Sequence, residues 1–204
     1  MFFNKLRNVF KKKTKAIALE EKTSVPIDTS KKDTELSKEE LLLLDFLKGE
    51  GEDFYGRTIA FILGHKGNSM WLEGTHDYIQ WLFPLREASN AAPSVPLNDE
   101  MVNLIKNDPV TKGYLMESFL MMLDFYGFEL QESGVVVYND PSKNHWTTPF
   151  NHNFLRITRI IGCMSICGFE ELGKEFCSAV CEVMKDKPYA ISSKKYWIDA
   201  TTWR

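Results

Sequence analysis

The 204-residue sequence is short of the features that define several protein classes. No apolar run reaches the roughly 18 residues that a membrane-spanning helix needs. Residues 1–16 have neither the unbroken apolar stretch nor the small-residue cleavage site of a secretory signal. There are only four cysteines, Cys163, Cys167, Cys177 and Cys181, too few for a secreted disulfide scaffold. The chain is therefore read as cytoplasmic. Catalytic motifs are missing too. No glycine-rich phosphate loop follows a strand, no serine sits in a Gly-x-Ser-x-Gly elbow, and no His-x-x-x-His pair has an adjoining glutamate. That leans away from an enzyme and supplies no catalytic residue and no cofactor.

Acid is absent from residues 1–16, which carry Lys5, Arg7, Lys11, Lys12, Lys13 and Lys15. Removing those six from the 25 basic residues leaves 19 against 28 acidic ones, a net of −9 for the remainder. An acidic body argues against nucleic acid as its partner. Phe2, Phe3, Leu6 and Phe10 fall near helical spacing among the cations. A solvated tail is the first reading of that segment. Contact with an anionic membrane surface is the second, since the phenylalanines supply anchors. Residues 17–36 are polar, include Pro26, and read as a flexible linker. The expected division is thus a basic tail and linker over 1–36 and one domain over 37–204.

What is present beyond the linker is helical patterning. Ser37 with Glu40 forms a capping-box pair ahead of the Leu41–Leu47 run, and Gly49 follows. Later helices are expected over about 56–63, 69–83, 98–105, 110–126, 152–167, 170–185 and near the C-terminus. The whole reads as an all-α single-domain bundle of about six or seven helices. Val135–Val137 are expected to make a short extended piece after Gly134.

The cysteines form two Cys-x3-Cys pairs on consecutive helices, a spacing that puts each pair on one face. They can be a thiolate metal site, a pair of disulfides, or small apolar fillers at a helix contact. The third is adopted, with no metal. Glu73, His76 and Gln80 share a polar stripe if residues 69–83 form one helix, and His152, Arg156 and Arg159 share another. Two guanidiniums and an imidazole can grip a carboxylate or phosphate; equally, the two stripes can neutralise each other in a structural network. Either way His76, Gln80, His152, Arg156 and Arg159 are expected to meet, although about 75 residues separate the two runs. Trp81, with Trp71, Trp146, Trp197 and Trp203, either lines a peptide pocket or fills the core.

Two longer runs carry a resemblance. His76-Asp77-Tyr78-Ile79-Gln80-Trp81-Leu82-Phe83-Pro84-Leu85 and Asn151-His152-Asn153-Phe154-Leu155-Arg156-Ile157-Thr158-Arg159-Ile160 resemble the two signature runs of the opioid growth factor receptor conserved domain, in the same order. Gly56-Arg57-Thr58, Phe125-Tyr126-Gly127 and Tyr196-Trp197 add weaker matches, so that roughly residues 50–201 are covered. The resemblance implies a receptor-like domain whose vertebrate members bind an enkephalin-type peptide, and a chain like the short, stand-alone bacterial members. The expected function is non-enzymatic binding of a peptide or protein segment, with Glu73, His76, Gln80, Trp81, His152, Arg156 and Arg159 as candidate ligand-binding residues. The alternatives are a small-molecule or anion sensor, or an enzyme, using the His76/His152/Arg156/Arg159 surface, and a membrane-peripheral adaptor working through residues 1–16.

Overall fold

The computed structural model describes residues 36–204, so the expectations for the basic tail and for nearly all of the linker lie outside the described residues. Helix α1 (Lys38–Lys48) begins as the capping box requires. Ser37 Oγ accepts from the Glu40 backbone N–H at 3.2 Å, and the Glu40 carboxylate accepts from the Ser37 N–H at 2.7 Å. Glu40 also accepts from the Asn98 amide at 2.6 Å. Asn98 in turn caps α5 (Asp99–Asn107) through the Met101 N–H, so the starts of the two helices are tied together.

Short helices α2 (Ile59–Leu63), α3 (Ser69–Gly74) and α4 (Tyr78–Leu82) stand between them in sequence. The single helix expected over 69–83 is broken into α3 and α4, because Gly74 and the β-branched, extended Thr75 interrupt it. Nine α-helices therefore appear among the described residues, more than the six or seven expected. Asp108 caps α6 (Pro109–Tyr126), with Pro109 at the first helical position, where its missing N–H costs nothing. Buried residues take up most of α6, among them Leu115, Phe119, Met122, Leu123, Phe125 and Tyr126, and leave one partly exposed stripe of Gly113, Glu117, Leu120 and Asp124. A helix with so wide a buried face packs into the core.

Gly127 ends α6 in the left-handed region, at φ 81°. The chain then forms an antiparallel hairpin, β1 (Phe128–Leu130) against β2 (Val136–Tyr138), with Glu129 opposite Val137. The extended piece at 135–137 was legible from its valines; its partner β1 was not. Two 3-10 turns, Pro141–Lys143 and His145–Thr147, lead into α7 (Asn153–Ile166), followed by α8 (Glu170–Val183) and, after a third such turn, α9 (Ile191–Ala200). Helices α8 and α9 both pack on α7. The Trp197 indole N–H donates to the Phe154 carbonyl at 3.0 Å, and the Trp146 indole to that of Tyr126 at 3.0 Å. All four cysteines are free thiols, and Cys163, Cys167 and Cys177 are buried. No helix of the described residues is long and apolar enough to cross a membrane.

Candidate functional site

The break between α3 and α4 makes the site. Helix α3 ends with carbonyls that have no next turn to receive them. Arg156, on the second turn of α7 and only 5% exposed, fills the gap. Its Nη1 donates to Leu72 O at 2.8 Å and its Nη2 to Thr75 O at 2.7 Å. Nη2 also lies 3.2 Å from His76 Nδ1. A guanidinium only donates, so Nδ1 accepts and the His76 proton sits on Nε2. The Tyr78 ring lies under the same guanidinium, 5.5 Å from its centroid, and the Tyr78 hydroxyl donates to Leu72 O at 3.2 Å. Burial pushes the Tyr78 and Tyr126 phenols well above the usual tyrosine range, so both stay neutral donors.

Asn153 joins this knot to the rest. Its Oδ1 accepts from the Tyr126 hydroxyl at 3.1 Å and from Arg156 Nη1 at 3.4 Å, and its amide donates to Glu73 at 3.1 Å. Around Glu73 stand His152 Nε2 at 3.5 Å and His145 Nε2 at 3.7 Å, while the His76 and His152 rings meet edge to face at 5.0 Å. Three of the chain's four histidines converge here. Burial holds both the His145 and His152 imidazoles below the usual histidine range; Glu73 pulls the other way and loses, and Arg156 adds to the depression. Neutral imidazoles therefore face Glu73 at pH 7.

The sign of the pH dependence follows. A histidine whose folded pKa is depressed binds fewer protons in the folded state than in the unfolded one, so stability falls as pH drops below the unfolded value of about 6.5. Thermal melts should show a midpoint that declines from pH 7 to pH 5.5. A His145→Gln/His152→Gln variant should lose much of that slope; an unchanged slope would move the titration to other groups.

The structure thus brings Glu73, His76, His152 and Arg156 together, and two expectations change. Gln80 is not in the cluster. Because Thr75–Asp77 are not helical, the spacing that aligned Gln80 with Glu73 does not hold. Its amide N–H2 faces the carbonyls of Asp77 (3.0 Å) and His76 (3.2 Å), and its other amide atom lies 3.3 Å from Ser89 Oγ. Trp81 is a core residue, 1% exposed, with Phe46 and Phe54 edge-on against its ring. Arg159 lies one turn further along α7, where its Nη1 donates to Phe83 O at 3.1 Å. Among the described residues neither Glu73 nor Asp77 forms an ion pair with the arginines of α7, so the reading in which the two stripes neutralise each other does not hold in that form: Asp77 goes to Arg57 at 2.9 Å, beside the buried Asp53.

Sequence reasoning missed His145, Asn153 and Phe150. Asn153 lay inside the signature run but off the stripe. His145 sat in a stretch read as a polar loop. Phe150 is fully exposed and is the one non-glycine residue with positive φ, 56°, among the described residues. Asn151 holds that loop: its amide donates to His145 O at 3.0 Å and Thr148 Oγ1 at 2.8 Å, and its Oδ1 accepts from the Asn153 N–H at 3.0 Å. Beside Phe150 the outer face of α7 presents His152 and Leu155, the latter 74% exposed. Among the described residues no group of three or more histidine, cysteine, aspartate or glutamate side chains is arranged to hold a metal ion.

Comparison with known proteins adds the family. Residues 53–184 match the opioid growth factor receptor conserved region. The opioid growth factor receptor of Rattus norvegicus is 37% identical over 120 residues, 56% of this chain and 21% of the relative. That of Homo sapiens is 36% identical over 106 residues, 48% of this chain and 15% of the relative. Opioid growth factor receptor-like protein 1 of Xenopus tropicalis is 37% identical over 109 residues, 52% of this chain and 21% of the relative. The matched part spans about a fifth or less of these relatives. No solved structure gives a significant match. Both signature runs, and every residue of the Glu73–Arg156 cluster, lie inside the matched segment, and the chain belongs to the opioid growth factor receptor conserved-region family.

Proposed function

We propose that this domain binds a peptide or protein segment, without catalysing a reaction, on the face where the two signature runs meet. The observation that carries the reading is Phe150. Its large apolar side chain stands fully in water and contributes no burial, while its backbone conformation, disfavoured for any residue with a Cβ, costs stability. The Asn151 hydrogen bonds hold it there. Such strain is accepted where the side chain serves a partner, and aromatic anchors dominate the energetics of recognition. Leu155 and His152 extend the face along α7, and the exposed His76 borders it. The names of the relatives, which call them receptors for an opioid growth factor, agree in kind with a peptide ligand.

The anion-sensor and enzyme readings are less well supported. The terminal nitrogens of Arg156 are taken by carbonyls and Asn153, and Arg159 Nη1 by the Phe83 carbonyl. The cluster behind the face is a structural knot more than an open cleft.

The test is selection of a displayed library of random linear peptides on the whole chain, with an enkephalin-type pentapeptide as a separate probe. Enriched peptides should carry apolar anchors. Phe150→Ala/Leu155→Ala should weaken them at least about tenfold, or 1.4 kcal/mol, with the melting temperature unchanged or higher. Enriched peptides that bind this variant as tightly as the parent would refute the assignment of the face, and a failure to enrich any peptide would refute peptide binding.

A further inference from the structure

We propose that residues 1–16 of this chain occupy the groove between α1, α5 and α6. This surface is separate from the Phe150 face, and the inference does not rest on the function proposed above. The groove has a volume of about 710 Å3 and is open to solvent along its length. Its apolar lining includes the buried Leu44 and Ile105 and the exposed Leu104 and Val110, at 44% and 52%. Its rim is acidic, with Glu50, Glu100 and Asp108 against one cation, Lys48. Asp108 is committed to capping α6. Glu50 and Glu100 make no ion pair among the described residues, so their charges are open to a cation from outside.

A basic segment with interleaved large apolar residues fits an apolar lining with an acidic rim. Residues 1–16 are the segment of this chain with that composition: six cations, no acid, and Phe2, Phe3, Leu6 and Phe10. Attachment favours the same chain. The described residues begin at Leu36, which packs against the core, and Ser37 caps α1, the helix that forms one wall of the groove. From Ser37 to the groove is at most the length of α1, about 16 Å at 1.5 Å per residue. Residues 17–36 can span up to about 66 Å, so the tether reaches without strain. Tethering also raises the effective concentration of the segment to roughly the millimolar range, so weak contacts suffice. The phenylalanines of the segment match the apolar Leu104 and Val110, and Lys11, Lys12 and Lys13 match Glu50 and Glu100 in charge.

The experiment is zero-length carbodiimide coupling on the full chain at low ionic strength, read by peptide mass spectrometry. That reaction joins a lysine amine to a carboxylate only when the two are in contact. The expected result is links from Lys11, Lys12 or Lys13 to Glu50 or Glu100 in monomeric chains. They should fall about tenfold in 1 M salt, where charges are screened beyond about 3 Å. They should also be lost in Leu104→Lys/Val110→Lys, whose changes sit at exposed positions, with a circular dichroism melt confirming that this variant is folded. Links scattered over the acidic surface would overturn the proposal, as would links unaffected by the paired variant. Links found only in covalent dimers would overturn it too, since they assign the groove to a second copy. If residues 1–16 give no links to the groove and bind anionic vesicles instead, the membrane reading of that segment replaces it.

Discussion

Arg156→Ala should lower the unfolding free energy by about 2–4 kcal/mol, read as a leftward shift of the urea midpoint at constant slope. Two carbonyls, the buried Leu72 O and the half-buried Thr75 O, accept from the guanidinium, which bridges the end of α3 to the start of α4; Leu72 O also accepts from the Tyr78 hydroxyl. A carbonyl left inside without a donor costs about 1–3 kcal/mol; Thr75 O loses its donor, while Leu72 O keeps the Tyr78 hydroxyl. Losing the contact with Asn153 also loosens the Glu73 and Tyr126 ends of the network. Arg156→Lys should recover only part of the loss. One ammonium cannot span two carbonyls that a planar fork reaches with separate nitrogens. A cost below about 1 kcal/mol for the alanine variant would mean that water replaces the guanidinium and that the knot is not a keystone of the α3–α4 turn.

Gly127→Ala is expected to be comparably severe, at about 2–4 kcal/mol. Gly127 has φ 81°, where a Cβ is disfavoured before any contact is considered. A Cβ built there would also lie 2.4 Å from the Asp140 carbonyl oxygen, which is backbone and cannot swing aside. The Gly127 carbonyl accepts from the N–H groups of Asn139 and Asp140, so the shift that relieves the clash breaks the closure of the hairpin. Gly134→Ala is the control: it too has positive φ, 89°, but nothing lies within 4 Å of its Cβ position, so only the conformational cost remains. Equal losses in thermal or urea melts for the two glycines would show that packing at Gly127 adds nothing.

These two positions show what the sequence could and could not convey. Gly127 was readable because a glycine after the apolar repeat of α6 marks a helix end. The Ser37–Glu40 capping box and the 3.6-residue periods of α1, α6 and α7 were readable for the same reason: they are local. The role of Arg156 was only half readable. Its place in a polar stripe beside a packed face showed that it needed a partner. The nature of that partner depended on a helix break at Thr75, and a Gly-Thr step inside an otherwise periodic run is a weak signal. Once the run breaks, Gln80 leaves the stripe, and the carbonyls set free take the guanidinium that an acid was expected to hold. Phe150 gave no signal, since a left-handed aromatic is set by contacts of its neighbour Asn151 with residues outside the helix. The β1–β2 register was equally hidden, because three-residue strands are too short for an alternation to stand out.

The outer helices bear on how such a domain can be inherited. The segment shared with the family ends at residue 184, inside the turn after α8, and begins at residue 53, after α1. Yet α1 contributes Leu43, Leu44, Phe46 and Leu47 to the core, and α9 lays the fully buried Trp197 on α7 with its indole bonded to Phe154. A gene fusion or recombination event that transplanted residues 53–184 alone would carry the recognisable sequence and leave two apolar faces bare. The unit that can move between genes intact is therefore wider than the unit that sequence similarity marks out. In this chain α1 and α9 are what cover those faces.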